Sequence, residues 1–262
     1  MLQLAFLGTG SSSSTEKNPS SFALSNSNEM VLIDTGGGSY HQISRLKNKN
    51  FSTDKIKNIF LTHFHMDHVS GLPDFIWGEI WNSRGQRTIP LNIIGPEGLN
   101  DFWNKRFIPF FGREIPFQVN LHELSDGGTY DTSFCRAKAV KLKHSENSTG
   151  YLFTAGAKKT AFTGDTGICA PLIELINSAD ITVCEWSFTE KSPSDSHLGG
   201  DEIKSILEKT SNESSIYFTH MFPETGNTYK DLIEKRIEKL KDLNKKIHFP
   251  EDLHILNIEA DF

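Results

Sequence analysis

Three cysteines in 262 residues, Cys135, Cys169 and Cys184, are too few and too scattered for a disulfide framework, and no C-x-x-C pair brings two together. A reducing, cytoplasmic compartment is the expectation that follows. No stretch reaches the roughly 20 apolar residues that a membrane-spanning helix needs. The opening MLQLAFLGTG has neither the basic start nor the apolar length of a secretory leader. Basic excess is missing too. With a formal net charge of -6 and a pI of about 5.9, the chain lacks the surplus positive charge behind non-specific binding to nucleic-acid phosphates. There is no charge block, no long linker and no internal repeat. The glycine-rich DTGGG (34–38) lacks the Gly-Lys-Ser/Thr ending of a phosphate-cradling loop, so it reads as a tight turn.

What is present is the composition of an ordinary globular protein, 37% hydrophobic and 23% charged, long enough to bury a substantial core. Short runs rich in Val, Ile, Phe and Thr read as strands: LQLAFLG, SFALS, MVLIDTG, NIFLTH, PLNIIGP, FCRAKAVKLKH, GYLFTA, KTAFTGD, DITVCEW and SSIYFTH. Helical patterns are fewer. Residues 71–82 carry Pro73 in a first-turn position, and 200–209 begin with acids and end with lysine. Residues 228–246 place Leu232, Ile233, Ile237, Leu240 and Leu243 on one stripe. Strands with interspersed helices recur in both halves. The expectation is one mixed α/β domain over residues 1–262, two packed sheets with helices outside.

The densest chemistry lies in LTHFHMDHVSGLP (61–73), where three histidines and an aspartate fall within six positions. In extended chain, alternate side chains face the same way, so His63 and His65 can point at one ion. Asp67 and His68 follow where the chain turns towards the helix expected at 71, and can face a second ion. Imidazole and carboxylate are the ligands zinc takes when cysteine is absent. The bland alternative is a chance cluster of surface histidines. Against it, His144, Asp165, Glu185 and His220 each end an apolar strand before a turn, where loops are free to carry chemistry. His41, His122, His248 and His254 fit no such position.

THFHMDH resembles the H-x-H-x-D-H signature of the metallo-β-lactamase superfamily, and His144, Asp165 and His220 follow in that family's order. The resemblance runs from LAFLGTGSS and LIDTGGG to THMFPE. It implies an αββα four-layer sandwich with two divalent metal ions at one edge. One ion would take His63, His65 and His144, the other Asp67, His68 and His220, with Asp165 bridging. Asp34 resembles a position that supports the ligands from behind. Zinc is the expected metal, with manganese and iron compatible. The expected nucleophile is a hydroxide shared by the ions, with Asp67 both holding it in line and serving as a ligand.

Within the superfamily, His65 stands where an acidic residue would suggest the di-iron oxygen-reducing branch, and no glyoxalase II pattern follows. The opening LAFLGTGSS is similar to the ribonuclease Z-like phosphodiesterases. Glu185 in CEWSF and His197 in DSHLGGDEI resemble that branch's H-E-A-T glutamate and H-S-T histidine, which imply a relay that protonates the leaving oxygen. Cys184, Leu198 and Gly199 depart from those motifs. Enzymes that process tRNA 3′ ends often carry a long arm between the positions of His144 and Asp165. Here those residues are 21 positions apart, room for a hairpin only. A small phosphodiester or cyclic nucleotide is therefore the expected substrate, and large structured RNA a poor one. The alternatives are a lactonase or thioesterase, a tRNA 3′-processing endonuclease, and a non-catalytic metal-binding module. The aromatic run FWNKRFIPFFGREIPF (102–117) fits three roles: core, lid, or the surface of a homodimer.

Overall fold

Strand β1 (Leu2–Gly8) is buried along its whole length, yet its side chains still alternate. Leu2, Leu4 and Phe6 enter one apolar cluster, and Ala5 and Leu7 another. A strand can be apolar on both faces only when its sheet is covered on both sides. This computed structural model describes residues 1–259 except 83, 84, 86, 212 and 244. In chain order the remaining strands are β2 (Ser21–Ser25), β3 (Met30–Ile33), β4 (Ile56–Phe60), β5 (Leu91–Pro96), β6 (Val119–Leu124), β7 (Thr129–Asp131), β8 (Arg136–Lys141), β9 (Thr149–Ala155), β10 (Lys158–Phe162), β11 (Ile181–Glu185), β12 (Ser215–Thr219), β13 (Lys246–His248) and β14 (Ile255–Ile258). They form two seven-stranded sheets, ordered β14-β1-β2-β3-β4-β5-β6 and β13-β12-β11-β10-β9-β8-β7.

Phe22, Ile33, Phe60, Tyr151, Phe153 and Phe162 fill the layer between the sheets. On the outer face of the first sheet lie α1 (Ser39–Arg45), the short turn α2 (Met66–Val69) and α3 (Leu72–Ile80). The same face carries a segment of α4 (Leu99–Phe102), a π-helical turn (Trp103–Phe107) and α5 (Ile108–Phe111). The outer face of the second sheet packs α6 (Ala170–Asn177), α7 (Gly200–Glu208) and α8 (Tyr229–Leu240) against Trp186, Ile216 and Phe218. The four layers are those of the αββα sandwich.

The sheets share one plan. From β14 to β3, and from β7 to β10, neighbours pair antiparallel; from β3 to β6, and from β10 to β13, they pair parallel. Asp34, after β3, and Asp165, after β10, are therefore topological counterparts. Each opens an Asp-Thr-Gly tripeptide, at 34–36 and 165–167, a correspondence of three residues and too short to stand out as a repeat.

Helix 71–82 is found as Leu72–Ile80 and helix 200–209 as Gly200–Glu208. The helix expected over 228–246 ends at Leu240; residue 244 of that span lies outside the described residues, and Lys246 already belongs to β13. Its apolar stripe also differs. Leu232 and Leu240 are buried, but Ile237 is 49% exposed and Arg236, between them, is 0% exposed. The inward row is i, i+4, i+8, and Ile237 falls one position round from it. Of the aromatic run, Phe102, Trp103 and Phe107 are core, while Phe110 is 77% exposed.

Candidate metal centre

Strand β4 ends at Phe60 and aims His63 inward. His65 is still extended (φ -72°, ψ 153°), as the alternating spacing requires. A helical turn not expected from the sequence, α2 at Met66–Val69, precedes the helix expected at 71 and carries Asp67 and His68 into the cluster. The DTGGG turn underpins it. Asp34 accepts from the Thr62 amide and hydroxyl, both at 2.8 Å, and lies 2.7 Å from His68 Nδ1, so His68 presents Nε2 to the centre. The Thr35 amide donates to the His68 carbonyl at 2.7 Å. At Gly36 a Cβ would fall 2.5 Å from the Pro19 carbonyl oxygen and 2.7 Å from that of Asp67, which leaves room for glycine alone. Asp34 (φ 55°) and His220 (φ 61°) both occupy the left-handed region, a strained backbone of the kind found at functional sites.

From the second sheet come His144, Asp165 and His220. The Ser196 carbonyl oxygen lies 2.8 Å from His144 Nδ1, and His144 Nε2 lies 3.0 Å from His65 Nδ1. Asp165 stands between the histidines. Its Oδ2 is 3.8 Å from His63 Nε2, 3.8 Å from His144 Nε2 and 3.4 Å from His220 Nε2, and its Oδ1 is 3.2 Å from His68 Nε2. Ligand-type atoms of His63, His65, His144 and Asp165 all lie within 4.8 Å of one another, as do those of Asp67, His68 and His220. All seven residues expected as ligands thus converge.

The chemistry of these atoms fits divalent cations. His63 Nε2, His68 Nε2 and Asp165 Oδ1 are buried, and none of them makes a hydrogen bond of good geometry. Orphaned buried polar atoms each cost about 1–3 kcal/mol, and the three, spread over two neighbouring ligand groups, call for partners that accept nitrogen lone pairs and a carboxylate oxygen. Burial and the neighbouring His68 ring hold His63 well below its ordinary pKa, in the neutral form a metal needs. Burial alone would push Asp165 up, but His220, His68 and His63 outweigh it and hold the carboxyl well below the usual range.

Glu185, at the end of β11, is buried and fully engaged. It accepts from the Thr166 amide, the Leu198 amide at 3.2 Å and the Ser187 hydroxyl. His197 Nδ1 lies 3.2 Å from both of its oxygens. Burial lowers the His197 pKa, but Glu185 more than offsets this and the net shift is upward. The His197 ring sits 4.6 Å from that of His144, and Asp165, His197 and His220 form a third group of ligand-type atoms within 4.8 Å. Phe188 and Phe222, stacked at 5.2 Å, wall this side. The other histidines stand elsewhere: His248 stacks on Tyr217, His122 lies against Tyr130, His254 against Phe6 and His41 against Tyr40. Thr62, Thr166, Ser187 and the Ser196 carbonyl were not foreseen. Of these only Ser187 left a signal, in CEWSF beside Glu185.

Residues 29–221, well over half of the chain, match the family model described as Beta-lactamase superfamily domain. The chain belongs to that superfamily and is a hydrolase on the metallo-β-lactamase fold. Within it, the sequence is similar to ribonuclease Z. The ribonuclease Z of Methanosarcina acetivorans is 25% identical over 313 aligned positions, covering 98% of each protein. A 262-residue chain cannot fill that alignment, so the relative carries segments this chain lacks. Other ribonuclease Z relatives match the chain over about half of their own length. Among solved structures, human tRNase Z, short form, superposes with a TM-score of 0.74 at 22% identity, covering 98% of this chain and 99% of that one. A diphosphatase of the PhnP family superposes with a TM-score of 0.73 at 22% identity, covering 99% of both. At these identities the two structures speak for the fold alone.

Proposed function

We propose that this hydrolase is a dinuclear phosphodiesterase acting on a small phosphodiester, cyclic nucleotides among them. The observation that carries this reading is the Glu185–His197 pair, set against the His/Asp cluster with His197 Nδ1 3.2 Å from both carboxylate oxygens. Breaking a phosphodiester expels an alkoxide that needs a proton. Glu185 keeps Nδ1 of His197 protonated and its charge favours the imidazolium, so Nε2 is set to give a proton to the departing oxygen. His63, His65 and His144 would hold one cation and Asp67, His68 and His220 the second, with Asp165 reaching both. Two such cations, when bound, supply an acidified water and positive charge against the phosphoryl group. Asp67, half-buried at the rim, orients the attacking water. A donor set of imidazoles and carboxylates without thiolate suits zinc, and also admits manganese or iron.

The small-substrate reading rests on what separates His144 from Asp165. That stretch is the β9–β10 hairpin, closed through Gly156 at φ 57°, with no arm on it. The names of the relatives favour a second reading, an endonuclease acting on tRNA 3′ ends. A lactonase or thioesterase would leave His197 little to do. Three free cysteines support a reducing cytoplasm, and no helix among the described residues is long and apolar enough to cross a membrane. The homodimer reading rests on the exposed Trp77, Trp81 and Phe110; sedimentation of the wild type and of Trp81→Ser tests it. The function is tested by specificity constants measured side by side on an aryl phosphodiester, cyclic nucleotides, a lactone, a thioester and precursor tRNA. Diesters should lead; a tenfold lead for the lactone or thioester, or efficient tRNA cleavage, replaces the reading.

A further inference from the structure

Arg236 is the one residue on the buried row of α8 that ought not to be there. It is 0% exposed, and among the described residues it forms no ion pair with a carboxylate. Burial pulls its pKa down to about 10, with Glu224 the largest opposing influence. A cation withdrawn from water without a direct counter-ion is costly, so what its donors hold is informative. Nη2 donates to the carbonyls of Trp186 at 3.3 Å and Ser187 at 3.2 Å; Nη1 donates to the Thr189 hydroxyl at 3.0 Å and the Leu232 carbonyl at 3.1 Å. Its guanidinium also lies over the Trp186 ring, 5.5 Å from the centroid. Three of the four acceptors belong to residues 186–189, directly after Glu185.

Ser187 is the joint of that stretch. Its amide donates to the Leu198 carbonyl at 3.0 Å, and its carbonyl also accepts from the Phe222 amide at 3.0 Å. The residue thus ties the segment bearing Glu185 to those bearing His197 and His220. Its hydroxyl, fully buried, touches all three: hydrogen-bonded to Glu185 Oε2, 3.2 Å from His220 Nδ1 and 3.4 Å from His197 Nδ1. A hydroxyl has one proton to give. Given to the Glu185 carboxylate, it leaves the oxygen lone pairs to accept Nδ1–H of His220. That fixes the tautomer of His220 and puts its free lone pair on Nε2, the atom 3.1 Å from Asp67 and 3.4 Å from Asp165.

We propose that Ser187, clamped through its carbonyl by the buried Arg236, is a positioning residue. It orients His220 towards its cation and locks the Glu185–His197 pair to the same frame. The inference rests on the two-cation reading above. The test is a Zn²⁺ titration of metal-stripped protein by calorimetry, with His65→Ala marking which step belongs to which group. Ser187→Ala should weaken the cation step of the Asp67, His68 and His220 group by about 10–100-fold, the usual cost of losing a group that orients a ligand. It should leave the other step nearly unchanged and lower the melting temperature by only a few degrees, about the cost of one buried hydrogen bond. Ser187→Thr, which keeps the hydroxyl, should restore the lost affinity. Arg236→Lys should weaken the same step selectively, since one ammonium cannot reach both carbonyls and the Thr189 hydroxyl in the fork geometry. If the wild type takes up no second cation, the two-cation reading itself fails. If the wild type binds two and Ser187→Ala binds both unchanged, or loses both together with its fold, or Ser187→Thr behaves as Ser187→Ala, the positioning role is overturned while that reading stands.

Discussion

Replacing His197 with alanine separates its two possible roles. The side chain is anchored by Glu185 on one nitrogen and borders the rings of His144 and His220, 4.6 Å and 5.9 Å away. Its removal leaves the Glu185 carboxylate with three donors, the Thr166 and Leu198 amides and the Ser187 hydroxyl. The carboxylate therefore stays satisfied, and the cost in stability should be about 2 kcal/mol, one hydrogen bond to a charged group. A rate effect larger than that cannot be unfolding. General acid catalysis is worth roughly 10²–10⁴-fold, or about 2.7–5.5 kcal/mol of barrier. That full loss is expected for diesters with an alkoxide leaving group. For a 4-nitrophenolate, which departs without a proton, the loss should shrink below about tenfold, because the donor no longer contributes to the barrier. The assay is kcat and kcat/KM for a leaving-group series on wild type and His197→Ala, with metal content measured on the same samples. An equal loss across the series refutes the acid role. Loss of a cation would instead make His197 a ligand, in the third group with Asp165 and His220.

Three further outcomes follow from local geometry. The first turn of α8 is closed by a capping box, Thr228 amide to Asp231 at 2.7 Å and Asp231 amide to the Thr228 hydroxyl at 3.2 Å. Thr228→Ala should cost about 1 kcal/mol in urea unfolding while cation affinity stays constant; an unmoved midpoint would contradict this. Burial pushes the Cys135 thiol up to about 12 and the Cys184 thiol higher still, while Cys169 is half-exposed. A maleimide at neutral pH should therefore label one thiol quickly in the native protein and all three in urea, and fast labelling of all three without denaturant would show that packing wrong. Gly164 sits at φ 58°, and a Cβ there would lie 2.6 Å from Thr62 Cβ. Gly164→Ala should therefore displace Asp165 and weaken the binding of both cations, seen in the same titration as two reduced steps; unchanged steps would show that Asp165 does not depend on this turn.

Much of the site was legible because its chemistry is compressed. Extended spacing put His63 and His65 on one side, and the later residues each stood at the end of an apolar strand. The separate turn α2 was not legible, since Gly71 and Pro73 punctuate the helix that follows while Met66 carries no such signal. Strands β6, β7, β13 and β14 were missed. They lie at or next to sheet edges, half-exposed and too polar to alternate clearly. Arg236 was unreadable for a different reason. Its burial depends on carbonyls of residues 186 and 187, fifty positions away in sequence, and no periodicity reports that a cation will find acceptors inside. The duplicated sheet plan left only the paired Asp-Thr-Gly tripeptides, because strand pairing constrains hydrogen bonds and burial and leaves the side chains free to diverge.

The central claim is that the convergent histidines and aspartates form a site for two cations that the reaction needs. Elemental analysis of protein purified without chelator, paired with phosphodiesterase assays before and after chelator treatment, tests it most directly. Two divalent ions per chain are expected, with activity lost to chelator and regained on adding Zn²⁺ or Mn²⁺. Metal-free protein whose diester hydrolysis ignores chelator would contradict the claim.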